Sequence, residues 1–344
     1  MRIGRRLAIS SALFCLFALS AACDKAKPHI PSGPELVVHW ALSPGGLGDM
    51  GYNDIIYAGI SSAAERNDFV LHNYRPDSVE QMLPVIEEWL REPLGEGSRS
   101  LFVLGASDYE PLVRTCMDRG IFPLPAGKDM LMLEYFKDDL PVYTIGIVTA
   151  AVAYLAGCLS REMDRTPLVV AATLADPQTQ AAAEAFCMGA DPEGAGNADI
   201  LELSADFSGF YMADSLYRLC PELMSEYDFF FPYAGGSALG MYRYMRDNSG
   251  DWLVVGMDMD QTDLAPDNMC CSMIKEINRA IVMWMDSYAA DEELPSRSIY
   301  GIESGLVSLH PSPGYEELVG RVAEQNMSEA LAVEAEFTEI LCGE

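Results

Sequence analysis

Short, almost wholly apolar runs alternate with amphipathic helical stretches along most of this chain, and that alternation leaves few folds open. Residues 35–41 (ELVVHWA), 69–74, 100–104 (SLFVL), 168–174 (LVVAATL), 227–232 and 252–256 read as strands with little polar alternation. Such strands are buried on both faces, the condition of a parallel sheet covered by helices on either side. Helix patterns lie between them. Ile55, Ile56, Gly59, Ile60 and Ala63 share a face over 53–66, and Val79, Met82, Ile86 and Trp89 do so over 78–91. Further helices are expected at 109–119, 150–163, 178–188, 209–219, 238–245 and 272–289, with one helix or a pair at 315–341, strands at 130–133, 142–147 and 199–203 and a strand group at 299–309. Two such series, each of about 110 residues, are each of domain size. They predict an α/β protein with two doubly wound parallel-sheet lobes, the first from 36–148 plus 259–298 and the second from 149–258 plus 299–344.

The amino terminus bears on the compartment. Arg2, Arg5 and Arg6 precede an apolar run at 7–19, shorter than the roughly 20 residues of a membrane span. The run ends in Leu19-Ser20-Ala21-Ala22-Cys23, which is similar to a bacterial lipoprotein signal although Ser20 stands where leucine is usual. Residues 1–22 are then a signal peptide and Cys23 the lipidation site; the alternative is an uncleaved anchor or a non-lipid signal. Residues 23–35, with Pro28, Pro31 and Pro34, read as a tether. No later apolar run reaches about 18 residues. The expected location is the bacterial cell envelope, extracytoplasmic, with the membrane met only through the lipid.

The formal charge of −30 becomes more negative by three once the signal arginines leave. Such a surface repels phosphate backbones, which argues against a nucleic-acid partner. Beyond Cys15 and Cys23, the cysteines are Cys116, Cys158, Cys187, Cys220, Cys270, Cys271 and Cys342. Their odd number and scattered spacing suit buried small hydrophobes better than a zinc site or a disulfide scaffold.

Ligands of open α/β sheets sit just past the carboxyl ends of strands, and four stretches there carry candidate residues. SPGGLGDMGYN (43–53) offers Asp49, Tyr52 and Asn53 at a helix start, although Asn53 would serve equally as the helix N-cap. Its glycines lack both the GxGxxG spacing and the P-loop lysine, which speaks against a nucleotide-phosphate cradle. Asp108 follows Gly105-Ala106-Ser107, either facing a ligand or capping the next helix. Phe207 and Phe210 follow one later strand, and Gly235-Gly236 follows another, where bare backbone can approach a bound ring or make a tight turn. The longest stretch is VVGMDMDQTDLAPDNMCCSMIK (254–275). It runs from a strand into Asp258, Asp260 and Asp263 and then, past Pro266, into the helix expected from 272.

Asp258-x-Asp260-x-Thr262 resembles the DxDxT motif of haloacid-dehalogenase-type phosphatases, which use aspartate nucleophiles with magnesium. That family carries the motif on its first strand and an acidic motif well downstream; here it stands at 258 and no Gly-Asp follows. His29, His39, His72 and His310 fall in the tether and in or beside strands, and no GxSxG elbow accompanies them. An exported phosphatase remains the enzymatic alternative. An adhesion or sensor lipoprotein taking a different small ligand is another.

Read together, GLGDMGYND (46–54), AGGSALGMY (234–242) and GMDMDQTDLAPDNMCCSMIK (256–275) resemble the basic membrane protein family, nucleoside-binding lipoproteins that serve ABC importers. The resemblance implies a type I periplasmic binding protein fold, with two lobes joined by three crossovers and closing on a purine nucleoside. It implies Tyr52 and Phe207 as aromatic plates on the base and Asp108 as acceptor from the base edge. Asp258 would hold the ribose hydroxyls, helped by Lys275 and the backbone at Gly235. Ser43, Asp49 and Asn53 complete the expected ligand shell. No catalysis, cofactor or metal is implied; the partners are a small-molecule ligand and an ABC permease, and the chain is expected to be a monomer. Two segments depart from the family: Ser43-Pro44 replaces an acidic start to the first loop, and Gly146-Ile147-Val148-Thr149 replaces a charged segment. Both bear on which ligand is bound. A dimeric transcription regulator shares this fold, but the export signal and the lack of a helix-turn-helix arm oppose that reading.

Overall fold

The computed structural model describes residues 35–343. The signal, Cys23 and all but the last residue of the tether lie outside the described residues. The first series runs β1 (Leu36–Ala41), α1 (Tyr52–Asn67), β2 (Val70–Tyr74), α2 (Met82–Arg91), β3 (Arg99–Leu104), α3 (Glu110–Asp118), β4 (Lys128–Leu133) and β5 (Tyr143–Ile147). The second begins α4 (Ala150–Glu162), β6 (Pro167–Ala171), α5 (Pro177–Ala190), β7 (Asp199–Glu202) and α6 (Ala213–Glu226). It continues through β8 (Phe229–Phe231), α7 (Ala238–Asp247), β9 (Leu253–Asp258) and β10 (Met269–Lys275). The chain then returns to the first sheet with α8 (Ile277–Ala289) and β11 (Arg297–Tyr300), and ends in the second with β12 (Val307–Pro311) and α9 (Glu316–Cys342).

Each sheet has six strands, ordered β11-β5-β4-β3-β1-β2 and β12-β10-β9-β8-β6-β7. The chain passes between them three times, at 148–149, at 276 and at 301–306, as the α/β two-lobe expectation required. Every pairing in the first sheet is parallel. In the second, β12 runs antiparallel to β10. A six-residue crossover delivers β12 to that edge without the helical return that a parallel neighbour needs.

Continuous apolar strands are explained by their two covered faces. On β3, Leu101 and Val103 join the core that contains Ile56 and Ile60 of α1, while Phe102 and Leu104 face Ile86 and Trp89 of α2. The second sheet repeats the pattern: Phe229 and Phe231 face the α4–α5 side, and Phe230 faces α6 and α7. Helices α4 and α5 meet backbone to backbone. A methyl group on Gly157 would lie 2.1 Å from the Phe186 carbonyl, and one on Gly189 would lie 2.0 Å from that of Tyr154. Five of the seven cysteines of the described region are buried.

Three expectations need correction. The helix expected at 272–289 begins only at Ile277, because Met269–Lys275 is strand β10. The segment lies between β9 and β12, so both its faces are covered. A short apolar run of that kind has no period that separates strand from helix. Residues 259–298 therefore do not all belong with the first sheet, and the second crossover falls at 276. The strand group expected at 299–309 is two strands, β11 and β12, one in each sheet.

Candidate ligand-binding cleft

The carboxyl ends of strands from both sheets face one cleft, whose interior offers about 90 Å³. Ser43, Asp49, Tyr52, Asn53, Asp108, Phe207, Gly235, Asp258 and Lys275, the nine positions singled out in the sequence, all border it.

The β1–α1 loop supplies the first group. The Asp49 carboxylate accepts the backbone N–H groups of Gly51, Asn53 and Asp54 at 3.0, 2.8 and 3.3 Å. Asp49 thus serves the free N–H groups of the α1 start, and Asn53 sits inside the helix with its Oδ1 buried and unpartnered. Tyr52 donates its hydroxyl to the Gly105 carbonyl at 2.9 Å, while Lys275 Nζ lies 5.0 Å from its ring centre. Asp108 lies in a single helical turn after β3 and does not cap α3, whose N-cap position is Tyr109. Its Oδ1 is buried without a partner. Burial, then the nearby Asp176, pushes the Asp108 carboxyl up to about 7.

The second sheet contributes rings and bare backbone. One short turn after β7, Phe207–Tyr211, carries Phe207, Phe210 and Tyr211 into the lining. The Phe207 and Phe210 rings stack at 6.1 Å. Gly235 has φ +51 and approaches the Phe210 ring so closely that a methyl group would meet it at 3.0 Å. Both constraints favour glycine there.

A buried charge triad closes the floor. Lys275 Nζ, at the end of β10, lies 3.1 Å from Glu134 Oε2 and 3.8 Å from Asp258 Oδ1. Burial raises both acids, with Lys275 opposing the rise. Burial also works against the lysine's charge, but Glu134, Tyr233 and Asp258 outweigh it and hold the ammonium above its ordinary range. Glu134 and Asp258 have left-handed backbones, φ 57 and φ 67. Non-glycine residues in that region are strained, and such strain gathers at functional sites.

Several ties run from one sheet's side of the cleft to the other: Lys275 to Glu134, Ser107 Oγ donating to Asp176 Oδ1 at 3.1 Å, and Gln261 Nε2 donating to the Met50 carbonyl at 2.8 Å. The Tyr211 ring also covers Gly45, where a methyl group would lie 2.2 Å from Cε1. The cleft is closed.

Sequence reasoning missed Glu134, Asp176, Gln178, Tyr211 and Tyr233, which complete the lining. Asp176 carried a signal: it precedes Pro177 at a helix start just after a strand, and its side chain accepts Thr179 N. Glu134, a lone acid at the end of a buried run, showed nothing of its backbone strain. The acids of the DxDxT-like motif part company. Asp258 turns into the cleft, whereas Asp260 accepts from Thr262 N and Oγ1 at 3.0 and 2.7 Å and borders a separate groove with His310 and Glu316.

Two doubly wound lobes, three crossovers and a cleft between opposed strand ends define the type I periplasmic binding protein fold. Within that class the chain belongs to the Bmp family, described as ABC transporter substrate-binding protein PnrA-like, whose model matches residues 37–336. Basic membrane protein C of Borreliella burgdorferi strain N40 is 28% identical over 85 residues, a match that covers 24% of each chain. The match therefore spans about a quarter of that relative. The fold is shared with solved structures of low identity. One is of ABC transporter system solute-binding proteins from Aeropyrum pernix K1, with TM-score 0.64 and 16% identity, covering 90% of this chain and 91% of that one. Another is a transcriptional activator of the comK gene from Bacillus halodurans, also with TM-score 0.64 and 16% identity, covering 87% and 97%.

Proposed function

We propose that this chain is the solute-binding component of an ABC importer, that its lobes close on a purine nucleoside, and that a lipid on Cys23 tethers it outside the cytoplasm. The observation that carries the ligand class is a set of buried oxygens with no protein partner: Asn53 Oδ1, Asp108 Oδ1, Glu134 Oε1 and Gln178 Oε1. All belong to cleft-lining residues and all can accept a hydrogen bond, as can Ser43 Oγ, also buried and unpartnered there, which can donate as well. Buried acceptors left unpaired are costly, so the ligand that stabilises closure is rich in N–H and O–H donors. Asp49, Asp108, Glu134, Asp176 and Asp258 meet a single lysine in the lining. That balance favours an uncharged nucleoside over a nucleotide phosphate.

In this reading Tyr52 from the α1 start and Phe207 from the opposite sheet flank the base, whose faces are apolar and whose edges are polar. Asp108 accepts from the base edge. Asp258, steadied by Lys275, accepts from neighbouring ribose hydroxyls, and the backbone at Gly235 lies close to the sugar. Ser43 and Asn53 complete the shell, while Asp49 orders the loop that presents them. The first lobe is the β1–β5 segment with α8 and β11, the second the remainder. Binding and closure are the whole mechanism; the released ligand passes to the permease, and the protein acts as a monomer. The divergence of Asp258 and Asp260 disfavours the phosphatase alternative, whose nucleophile and acid need to serve one phosphate.

The experiment is a melting-temperature screen of the mature chain against nucleosides, nucleobases, nucleotides, sugars and amino acids. At a hundredfold excess over Kd a specific ligand stabilises the fold by about 2.7 kcal/mol. A rise with purine nucleosides and none with their 5′-phosphates is expected. A rise with sugars alone would replace the ligand, and turnover of a phosphate ester would overturn the binding-protein reading. Retention of Cys23→Ala in the membrane fraction would refute the lipid tether.

A further inference from the structure

Asp176 belongs to no part of the expected ligand shell, yet it borders the cleft, 6% exposed, at the start of α5. Its Oδ2 accepts Thr179 N and Thr179 Oγ1 at 3.0 and 2.7 Å. That fixes the carboxylate and leaves Oδ1 to accept from Ser107 Oγ at 3.1 Å, across the cleft. The next residue after Ser107 is Asp108, whose Oδ1 is buried, unpartnered and in the lining of the same cleft. Closure therefore brings a second carboxylate beside the one expected to read the base edge.

We propose that Asp176 is a positioning residue for ligand selection: by closing onto Ser107 it sets a carboxylate pair with Asp108 that admits a ligand presenting an N–H donor at that point. The proposal rests on the nucleoside reading and specifies which edge chemistry the base must show. Two buried carboxylates in one site resist carrying two charges. Glu80 adds to the repulsion on Asp108, and Tyr52, Tyr109 and Tyr211 surround it with phenols. The cleft's lysine is engaged elsewhere, by Glu134 and Asp258. Asp108 accordingly keeps its proton to about pH 7 in the closed cleft. A ligand N–H that donates to the Asp108 carboxylate favours the ionised form, and the proton leaves to solvent. Binding is then proton-linked, and affinity rises as pH rises toward 7.

Isothermal titration of the mature protein with adenosine, guanosine and inosine, from pH 5.5 to 8 in buffers of different ionisation enthalpy, measures that proton. The wild type is expected to release up to about half a proton per nucleoside near pH 7, in proportion to the share of ligand-free protein that already holds Asp108 in the closed cleft. Asp176→Asn keeps a capping side chain at α5; it should lower the release by half or more and move the rise in affinity to lower pH. Should Asp176→Asn fold poorly, Asp176→Ser retains a cap and serves the same test. A purely structural role would lower affinity by one factor at every pH and leave the proton count alone, which would overturn the proposal. If no nucleoside binds the wild type, the nucleoside reading fails separately. The same comparison is then made with whichever sugar or amino acid raises the melting temperature, and an unchanged proton count there, or the lack of any such solute, overturns the role of Asp176 as well.

Discussion

Lys275 Nζ stands 3.1 Å from Glu134 Oε2, a buried ion pair whose two members come from different sheets. Asp258 shares the same ammonium at 3.8 Å. The lysine thus joins the two sides of the cleft and neutralises part of its acid excess at once.

Removing that cation strands two buried carboxylates. Lys275→Met is expected to cost about 3–5 kcal/mol, the range for breaking a buried pair from one side. Chemical denaturation of Lys275→Met alone and with Glu134→Gln checks the origin: the second change should recover part of the loss, since the stranded charge has gone.

Phe207→Ala should weaken purine nucleoside binding by about 1–3 kcal/mol, the usual loss for one stacked base. Its melting temperature should stay close to wild type, because the Phe207 ring lines the cleft and takes no part in the buried cores. Calorimetric affinities decide it, and an unchanged Kd would remove Phe207 from the site. Asp258→Asn, measured with ribo- and 2′-deoxyribonucleosides, should narrow the preference for the ribose form.

Asp108 gives a pH signature without any ligand. Its carboxyl is raised from 3.8 to about 7 by burial and Asp176. The closed protein holds a proton that the unfolded chain has lost, so this contribution to stability is full below pH 3.8 and fades as pH rises through 7. Asp108→Asn should flatten that part of the stability profile and make the ligand-free protein more stable at pH 8 than the wild type. Urea midpoints between pH 4 and 8 test the sign.

Gly189→Ala should destabilise by more than the ~1–3 kcal/mol of ordinary overpacking, because the new methyl group meets main chain. The Tyr154 carbonyl lies 2.0 Å from where its carbon would go, and Gly157 faces the same constraint from α5. A melting temperature within a degree of wild type would mean that α4 and α5 separate freely.

Much of the site was legible because strand ends advertise themselves. Asp108 and Asp258 each follow a buried apolar run and Tyr52 opens the helix after one, which marked them as candidates, and the resemblance to the basic membrane protein family gave them their roles. The parts that escaped depend on the third dimension. Glu134 matters through a lysine 141 residues away, and Asp176 through a serine in the turn after β3, so neither spacing nor residue type could reveal them. The capping role moved from Asn53 to Asp49 because a loop of glycines lets an upstream carboxylate reach the helix start. Strand β10 was misread for an opposite reason: burial on both faces erased the alternation that marks a strand.

The third crossover has a consequence for how the protein is made. Strand β11 pairs with β5, and α8 packs on α1, yet both are synthesised after ten other strands. An emerging chain that has reached residue 276 still presents the uncovered flank of β5 and the unroofed side of α1, and its other sheet lacks β12 and α9. The first half is complete only once β11 has emerged at residue 300, and the second only with α9. Truncations before residue 297 should therefore behave as incompletely folded polypeptide rather than as one finished half, and proteases should degrade them accordingly.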